Sequence, residues 1–137
     1  MMKNLLAGIA LVTTTLFAHS QTPGWIHVAS SQSGDLVLEA RAGSFDVRKN
    51  GAKEEIAVIS GKAIRGNTNS RIDLEKWYVR TSDCVAKQGK VVTLTLDGEF
   101  KFDSDFIFDA GSIASGKAEF ICSVFEYSKA EKRSKSL

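Results

Sequence analysis

Residues 91–102 read Val91-Val92-Thr93-Leu94-Thr95-Leu96-Asp97-Gly98-Glu99-Phe100-Lys101-Phe102. Two runs rich in β-branched, aromatic and other apolar residues flank an Asp-Gly pair, a dipeptide that commonly closes a β-hairpin. The stretch therefore predicts two antiparallel strands joined by a tight turn.

The length of that turn decides which side chains share a face, because a slip of one residue exchanges the two faces of a strand. A two-residue loop at Asp97-Gly98 would place both phenylalanines beside threonines. A three-residue loop instead pairs Leu94 with Phe100 and Val92 with Phe102. We predict the three-residue loop, with Gly98 left-handed. The predicted buried face consists of Val92, Leu94, Phe100 and Phe102.

Further strands are predicted on the N-terminal side of this hairpin. The first two are Trp25 to Val28 and Leu36 to Ala42, and Gly43-Ser44 interrupts the second before Phe45 to Val47. Asn50-Gly51 is a hairpin turn, after which a strand with Ile56 and Val58 returns. The last predicted strand is Ile72 to Val79. In this last strand, Ile72 and Leu74 occupy even-numbered positions, which face one side of a regular strand, whereas Trp77 and Val79 occupy odd-numbered positions, which face the other. We therefore predict a bulge near Glu75, or two short strands.

The C-terminal region predicts a helix. Its apolar positions, Ala114, Ala118, Ile121, Cys122 and Phe125, follow helical spacing. Ser112 or Ser115 is a suitable N-cap. A strand is the alternative, because residues 120–125 are rich in strand formers. The predicted fold class is α+β: an antiparallel sheet of about six strands with a C-terminal helix packed on it.

Residues 1–20 have the pattern of a cleaved secretory signal: Lys3, an apolar run from Leu5 to Phe17, then Ala18-His19-Ser20. The apolar run is shorter than the ~20 residues that span a bilayer. We expect a periplasmic or secreted protein without a membrane anchor. In an oxidising compartment the two cysteines, Cys84 and Cys122, are predicted to form one disulfide between a strand region and the last structured element.

Composition argues for one domain and against a charge-driven partner. The chain has 137 residues with a net charge of +2, so nothing indicates nucleic acid. Residues 21–128 form the predicted domain, and residues 129–137 a basic tail. We interpret this tail as solvated and frayed, with a docking strip for an acidic surface as the alternative.

No residue pattern predicts catalysis, a metal or another cofactor. His27 is the one histidine beyond the signal, and we expect a structural or surface role for it, with a metal or haem ligand as the alternative. Asp103, Asp105 and Asp109 lack the spacing of an EF-hand and are predicted to be a solvated edge, with a weak cation site as the alternative. Glu54 and Glu55 are adjacent strand residues, which point to opposite faces, so we do not expect them to act as an acid–base pair.

Aromatic residues are the better binding candidates, because exposed aromatic side chains often anchor protein contacts. The candidates are Trp25, Trp77 and Tyr78, with packing in the core or on the sheet as the alternative for both tryptophans. Four basic residues are a second candidate group whose convergence the sequence does not show: Lys62, Arg65, Arg71 and Arg80.

Several of these residues stand in a suggestive order: Trp77-Tyr78-Val79, Cys84, Gly89, Asp97-Gly98, Gly111-Ser112-Ile113-Ala114-Ser115 and Ile121-Cys122, with Trp25 a looser match. This spacing resembles the surface-adhesin protein E family of Gram-negative bacteria. The resemblance implies an antiparallel sheet tethered to a C-terminal helix by a disulfide, binding of host matrix proteins, and a homodimer as one state. The adhesin is a lipoprotein, whereas this chain lacks the anchoring cysteine.

The function predicted from these features is a non-enzymatic, adhesin-E-like module that binds a protein partner. A periplasmic inhibitor or immunity protein is the main alternative, since a small disulfide-braced domain suits that role. A hydrolase or ligand carrier that uses His27 and the aspartates is the third.

Overall fold

Seven strands form one antiparallel sheet, and a long C-terminal helix packs on one of its faces. This arrangement is seen in a computed structural model that describes residues 23–66 and 71–135. The strands are β1 (Trp25–Ser30), β2 (Leu36–Arg41), β3 (Asp46–Lys49), β4 (Glu55–Arg65), β5 (Arg71–Arg80), β6 (Gln88–Thr95) and β7 (Phe100–Ile107). The helices are α1 (Thr81–Ala86) and α2 (Ile113–Lys135). The predicted signal at residues 1–20 lies outside the described residues.

The strand order is β1-β2-β4-β5-β6-β7, and β3 pairs with the same strand β4 that pairs with β2. The α+β prediction is confirmed, with seven strands where about six were expected. Gly43 has a φ of +82°, which interrupts what would otherwise be one strand and separates β2 from β3. The hairpin expected at Asn50-Gly51 joins β3 to β4, although its left-handed residue is Lys53.

The β6–β7 hairpin confirms part of the predicted register. The Thr95 N–H donates to the Glu99 carbonyl, Gly98 has a φ of +97°, and Leu94 pairs with Phe100. A register shift then places Phe102 opposite Thr93 instead of Val92. The predicted buried face is therefore wrong: Val91 and Thr93 are buried, whereas Phe100 is 63% exposed.

Strand β5 is continuous, so the predicted bulge near Glu75 is also wrong. Trp77 and Val79 lie beneath α2, and Glu75 shares their face. Ile72 and Leu74 point to the other side, where they are 56% and 50% exposed. The change of parity in the sequence reflects apolar residues on both faces of one regular strand.

Helix α2 begins where predicted. The Ser112 hydroxyl accepts a hydrogen bond from the Ser115 N–H, which satisfies one of the free donors at the helix start. The buried side of the helix includes Ala118, Ile121 and Phe125, which pack into the core under β4, β5 and β6. The helix continues to Lys135, so most of the basic tail predicted to be frayed is helical with exposed side chains.

Cys84 and Cys122 form the predicted disulfide, with a Cα–Cα distance of 5.4 Å. Cys84 lies in the short helix α1, which the sequence did not predict, and not in a strand region. The bridge therefore joins two helices and fixes the middle of α2 beside the turn between β5 and β6.

Removing the disulfide should lower the stability of the folded chain markedly. The two cysteines are 38 residues apart, and closing a loop of that size stabilises a fold by about 4 kcal/mol in the chain-entropy account. We expect a loss of about this size for the Cys84→Ala/Cys122→Ala double variant in urea unfolding. Oxidised wild-type protein is the control, and a loss below ~1 kcal/mol would contradict the bracing role.

Gly61 should not tolerate a side chain. A Cβ atom there would overlap the Cη2 atom of Trp77, whose side chain is fully buried. Gly61→Ala is expected to destabilise the fold by about 3 kcal/mol through overpacking. Gly51→Ala is the matched control, because nothing lies within 4 Å of its added Cβ. Equal thermal unfolding midpoints for the two variants would refute this.

Candidate binding surface

The face of the sheet opposite α2, called here the open face, has no second layer among the described residues. Alternate residues of the central strands lie on it, among them Leu74, Lys76 and Tyr78 of β5 and Val92 and Leu94 of β6. Their neighbours in sequence point the other way, into the core beneath α2. One face is thus a core face and the other is available for contact.

Large apolar side chains are exposed at one end of the open face. Ile72, Leu74 and Phe100 are 56%, 50% and 63% exposed, and Leu96 in the adjoining turn is 46% exposed. Single exposed apolar residues are ordinary on protein surfaces, whereas a contiguous group usually marks an interaction site. This group is the clearest unoccupied contact surface in the described part of the chain.

Trp25 also lies on the open face, but its ring already has an intramolecular contact. The Lys62 Nζ atom lies 4.3 Å from the ring centroid, and the same Nζ lies 3.3 Å from Glu39 Oε1. Both charged side chains are only 13% exposed. Trp25 therefore shields an ion pair through a cation–π contact, and it is a weaker binding candidate than its aromatic character suggested.

Trp77 is a core residue and not an exposed anchor. Its side chain is fully buried, and its Nε1 donates a hydrogen bond of 2.8 Å to Glu75 Oε1. This corrects its nomination as a binding residue: a partner cannot reach it in the folded state. The residue next to it, Tyr78, points to the opposite face.

Tyr78 lines a cleft of about 310 Å³ with Glu54, Arg80, Lys90 and Val92. The charged groups around it are already paired. Arg80 donates to Glu54 at 3.1 Å, and that hydrogen bond is the main reason that the pKa of Glu54 lies below its ordinary value. Lys90 donates to Asp105 at 2.8 Å, which raises the pKa of the lysine. The cleft thus offers a phenol and an apolar wall but no unpaired charge.

The three aspartates do not form one site. Asp103 and Asp105 both face Lys90, whereas Asp109 lies in the turn after β7, where its N–H donates to Glu119. His27 is exposed, and its Nε2 lies 2.7 Å from the Ser30 hydroxyl. Residues 23–66 and 71–135 contain no group of three or more His, Cys, Asp or Glu placed to hold a metal ion.

The four basic residues considered together in the sequence are separated by their partners. Lys62 pairs with Glu39, and Arg80 pairs with Glu54 and Asp83. Arg65 and Arg71 share a single carboxylate, that of Asp73. They form separate ion pairs and not one basic patch.

A buried ionic cluster beneath α2 was missed by the sequence analysis. Glu75, 1% exposed, accepts from Lys101 Nζ at 2.9 Å as well as from Trp77. Lys117 of α2 is 4% exposed and donates to the Thr93 hydroxyl at 2.9 Å. Its Nζ lies 5.1 Å and 5.2 Å from the ring centroids of Trp77 and Phe102. The sequence signal for this cluster was Lys117, a charged residue among the apolar positions of the helix.

Burial lowers the pKa of Lys117 to about 8, while the Glu75 carboxylate opposes that change and Arg65 and Lys101 reinforce it. A lysine of this kind is a candidate nucleophile wherever a substrate can reach it. Here α2 and the sheet enclose the amine, and Lys117 is only 4% exposed in the folded state.

The pKa of Lys117 predicts a particular pH dependence of stability. Below pH 8 the folded state carries the full cost of a buried ammonium, about 3 kcal/mol. Between pH 8 and 10.5 the folded state releases the proton while the unfolded state keeps it, so stability rises. Lys117→Met should therefore be about 2 kcal/mol more stable than wild type at pH 7, since apolar replacement of a buried charge removes this cost.

The difference between Lys117→Met and wild type should shrink as pH rises from 8 to 10.5 in urea unfolding. Lys132→Met, at an exposed helix position, is the matched control and should show no such trend. A difference that stays constant with pH would contradict the assignment of the buried charge.

None of the helices in the described residues is long and apolar enough to cross a bilayer. Searches of family models, curated proteins and solved structures return no match to this chain. The likeness to the surface-adhesin protein E family therefore rests on the residue spacing between Trp77 and Phe125 alone.

Proposed function

We propose that this chain is a non-enzymatic binding module that works outside the cytoplasm and holds a protein partner on the open face of its sheet. The observation that carries the proposal is the exposed apolar group Ile72, Leu74 and Phe100, at 50–63% exposure. Burying such side chains against a partner gives about 25 cal/mol for each Å² removed from water.

The position of these residues supports a contact role. They project from paired strands, which hold them in place before a partner arrives, so little conformational entropy is lost on binding. The closed Cys84–Cys122 bridge is typical of proteins exported to an oxidising compartment. With the residue spacing that resembles an adhesin, these features favour a macromolecular partner such as a host matrix protein.

The proposal predicts that changes on the open face abolish binding while similar changes elsewhere do not. Oxidised protein would be immobilised and exposed to a panel of purified host extracellular-matrix proteins. We expect retention of at least one of them, and a loss of at least about tenfold in affinity for Leu74→Ser/Phe100→Ser, since apolar anchors dominate such contacts.

Val85→Ser/Tyr127→Ser is the matched control, because these two residues are 72% and 69% exposed but lie on helices α1 and α2. Its affinity should stay within about twofold of wild type, as expected for side chains outside the contact. Equal binding by both double variants, or no retention across the panel, would overturn the matrix-binding role. Retention of an envelope enzyme that loses activity on binding would instead establish the inhibitor role.

A further inference from the structure

We propose that the open face selects a partner segment that is apolar and carries a carboxylate, which docks over Lys76. This inference rests on the proposed binding function and specifies the chemistry of the partner. The surface concerned, called here the Lys76 strip, consists of Ile72, Leu74, Lys76, Leu94 and Phe100.

The register of the strands makes the Lys76 strip continuous. Lys76 pairs with Leu94, and Leu94 in turn pairs with Phe100 on the edge strand β7. Leu74 and Ile72 continue the same face along β5, each two residues from the next. Leu74 and Leu94 therefore lie beside Lys76, whereas its partner on the β4 side is Ser60. Its ammonium is the single charge within the strip and lies at the border of the apolar group.

Carboxylates on the open face already have basic partners. Glu39 pairs with Lys62, Asp46 with Arg48, and both Asp103 and Asp105 with Lys90. Among the described residues, Lys76 makes no ion pair or side-chain hydrogen bond. A positive charge without an ion-pair partner thus borders an apolar contact surface.

A partner without an acidic group that covered the Lys76 strip would remove water from the Lys76 ammonium and leave it unpaired. An unpaired charge is costly in an apolar interface. A carboxylate placed over Lys76 would restore a charge-assisted hydrogen bond. The same arrangement rejects a basic partner by repulsion, which gives selectivity as well as attraction.

A protein segment suits the strip better than an anionic membrane does. Lipid surfaces are usually held by clusters of about four to eight basic residues, each contributing about 1 kcal/mol. The strip has one cation, and most of the other charged side chains on this face of the sheet are held in ion pairs. One carboxylate within an apolar segment matches this pattern.

The test uses three heptapeptides of leucine and serine, blocked at both ends, that differ only in a central aspartate, asparagine or lysine. Each would be titrated into ¹⁵N-labelled protein, with amide shifts reporting the site. We expect shifts in β5, β6 and β7, and affinities in the order aspartate, asparagine, lysine, with about tenfold between the first two, since a desolvated charge pair contributes strongly.

Charge reversal provides the decisive control. Lys76→Glu should invert the order so that the lysine peptide binds best, and Lys76→Gln should remove the preference between the aspartate and lysine peptides. Lys132→Glu, at an exposed position of α2, should leave the order unchanged. A change that merely weakened the fold would not produce an inversion.

Equal affinities for the three peptides, an order that Lys76→Glu does not invert, or no shifts at the strip would overturn the inference. Binding to anionic lipid vesicles that Lys76→Glu abolishes, without peptide selectivity, would assign the strip to a membrane surface instead. If a matrix protein is retained through Leu74 and Phe100 but Lys76→Glu leaves its affinity unchanged, this inference fails while the proposed function stands.

Discussion

The packing of α2 on one face of the sheet is the constraint on which the rest of the structure depends. A sheet has two faces, and residues 23–66 and 71–135 supply a helical cover for one of them. The Cys84–Cys122 bridge holds the middle of α2 in place, and the helix buries Trp77, Val79 and Ile121 beneath it. With α2 on this side, Ile72, Leu74 and Phe100 on the open face remain exposed.

The core under α2 is mostly apolar, but each face of the sheet departs from the usual distribution of polarity at a few positions. Charged side chains, Glu75 and Lys117, lie in the interior, while Leu74 and Phe100 lie in water. The interior charges have partners: Trp77 and Lys101 donate to Glu75, and Lys117 donates to Thr93. Polar groups buried in this way favour one arrangement of a helix on a sheet over others. Exposed apolar groups have no such compensation within the fold. Departures of this kind are expected where function outweighs stability. The exposed apolar residues lie on the face proposed to bind.

The open face is not uniform, and its regions differ in how many of their side chains already make intramolecular contacts. At one end Trp25 covers the Lys62–Glu39 pair, so its aromatic surface is largely used. At the other end Arg80 and Lys90 are held by carboxylates around the cleft beside Tyr78. The Lys76 strip adjoins both regions, since Leu74 pairs with Lys62 and Lys76 is two residues from Tyr78 on β5, and it retains both apolar area and an unpaired cation. It is the part of the surface on which a partner gains most, because no internal contact has to be broken first.

Much of the fold was determined by local sequence, because hairpin turns, strand alternation and helical spacing act over a few residues. The Asp97-Gly98 turn, the break at Gly43 and the Ser112 cap belong to this class. The disulfide joins residues 38 apart, and its pairing could be predicted because the chain has only two cysteines. Tertiary structure alone decided which face of β5 is the inside, since Leu74 and Trp77 are both apolar and only the position of α2 distinguishes them. It also placed Trp77 in the core, shifted Phe102 by one register position, and buried Lys117 beside two aromatic rings. These outcomes depend on residues far apart in the chain meeting in three dimensions, and no local pattern encodes that meeting.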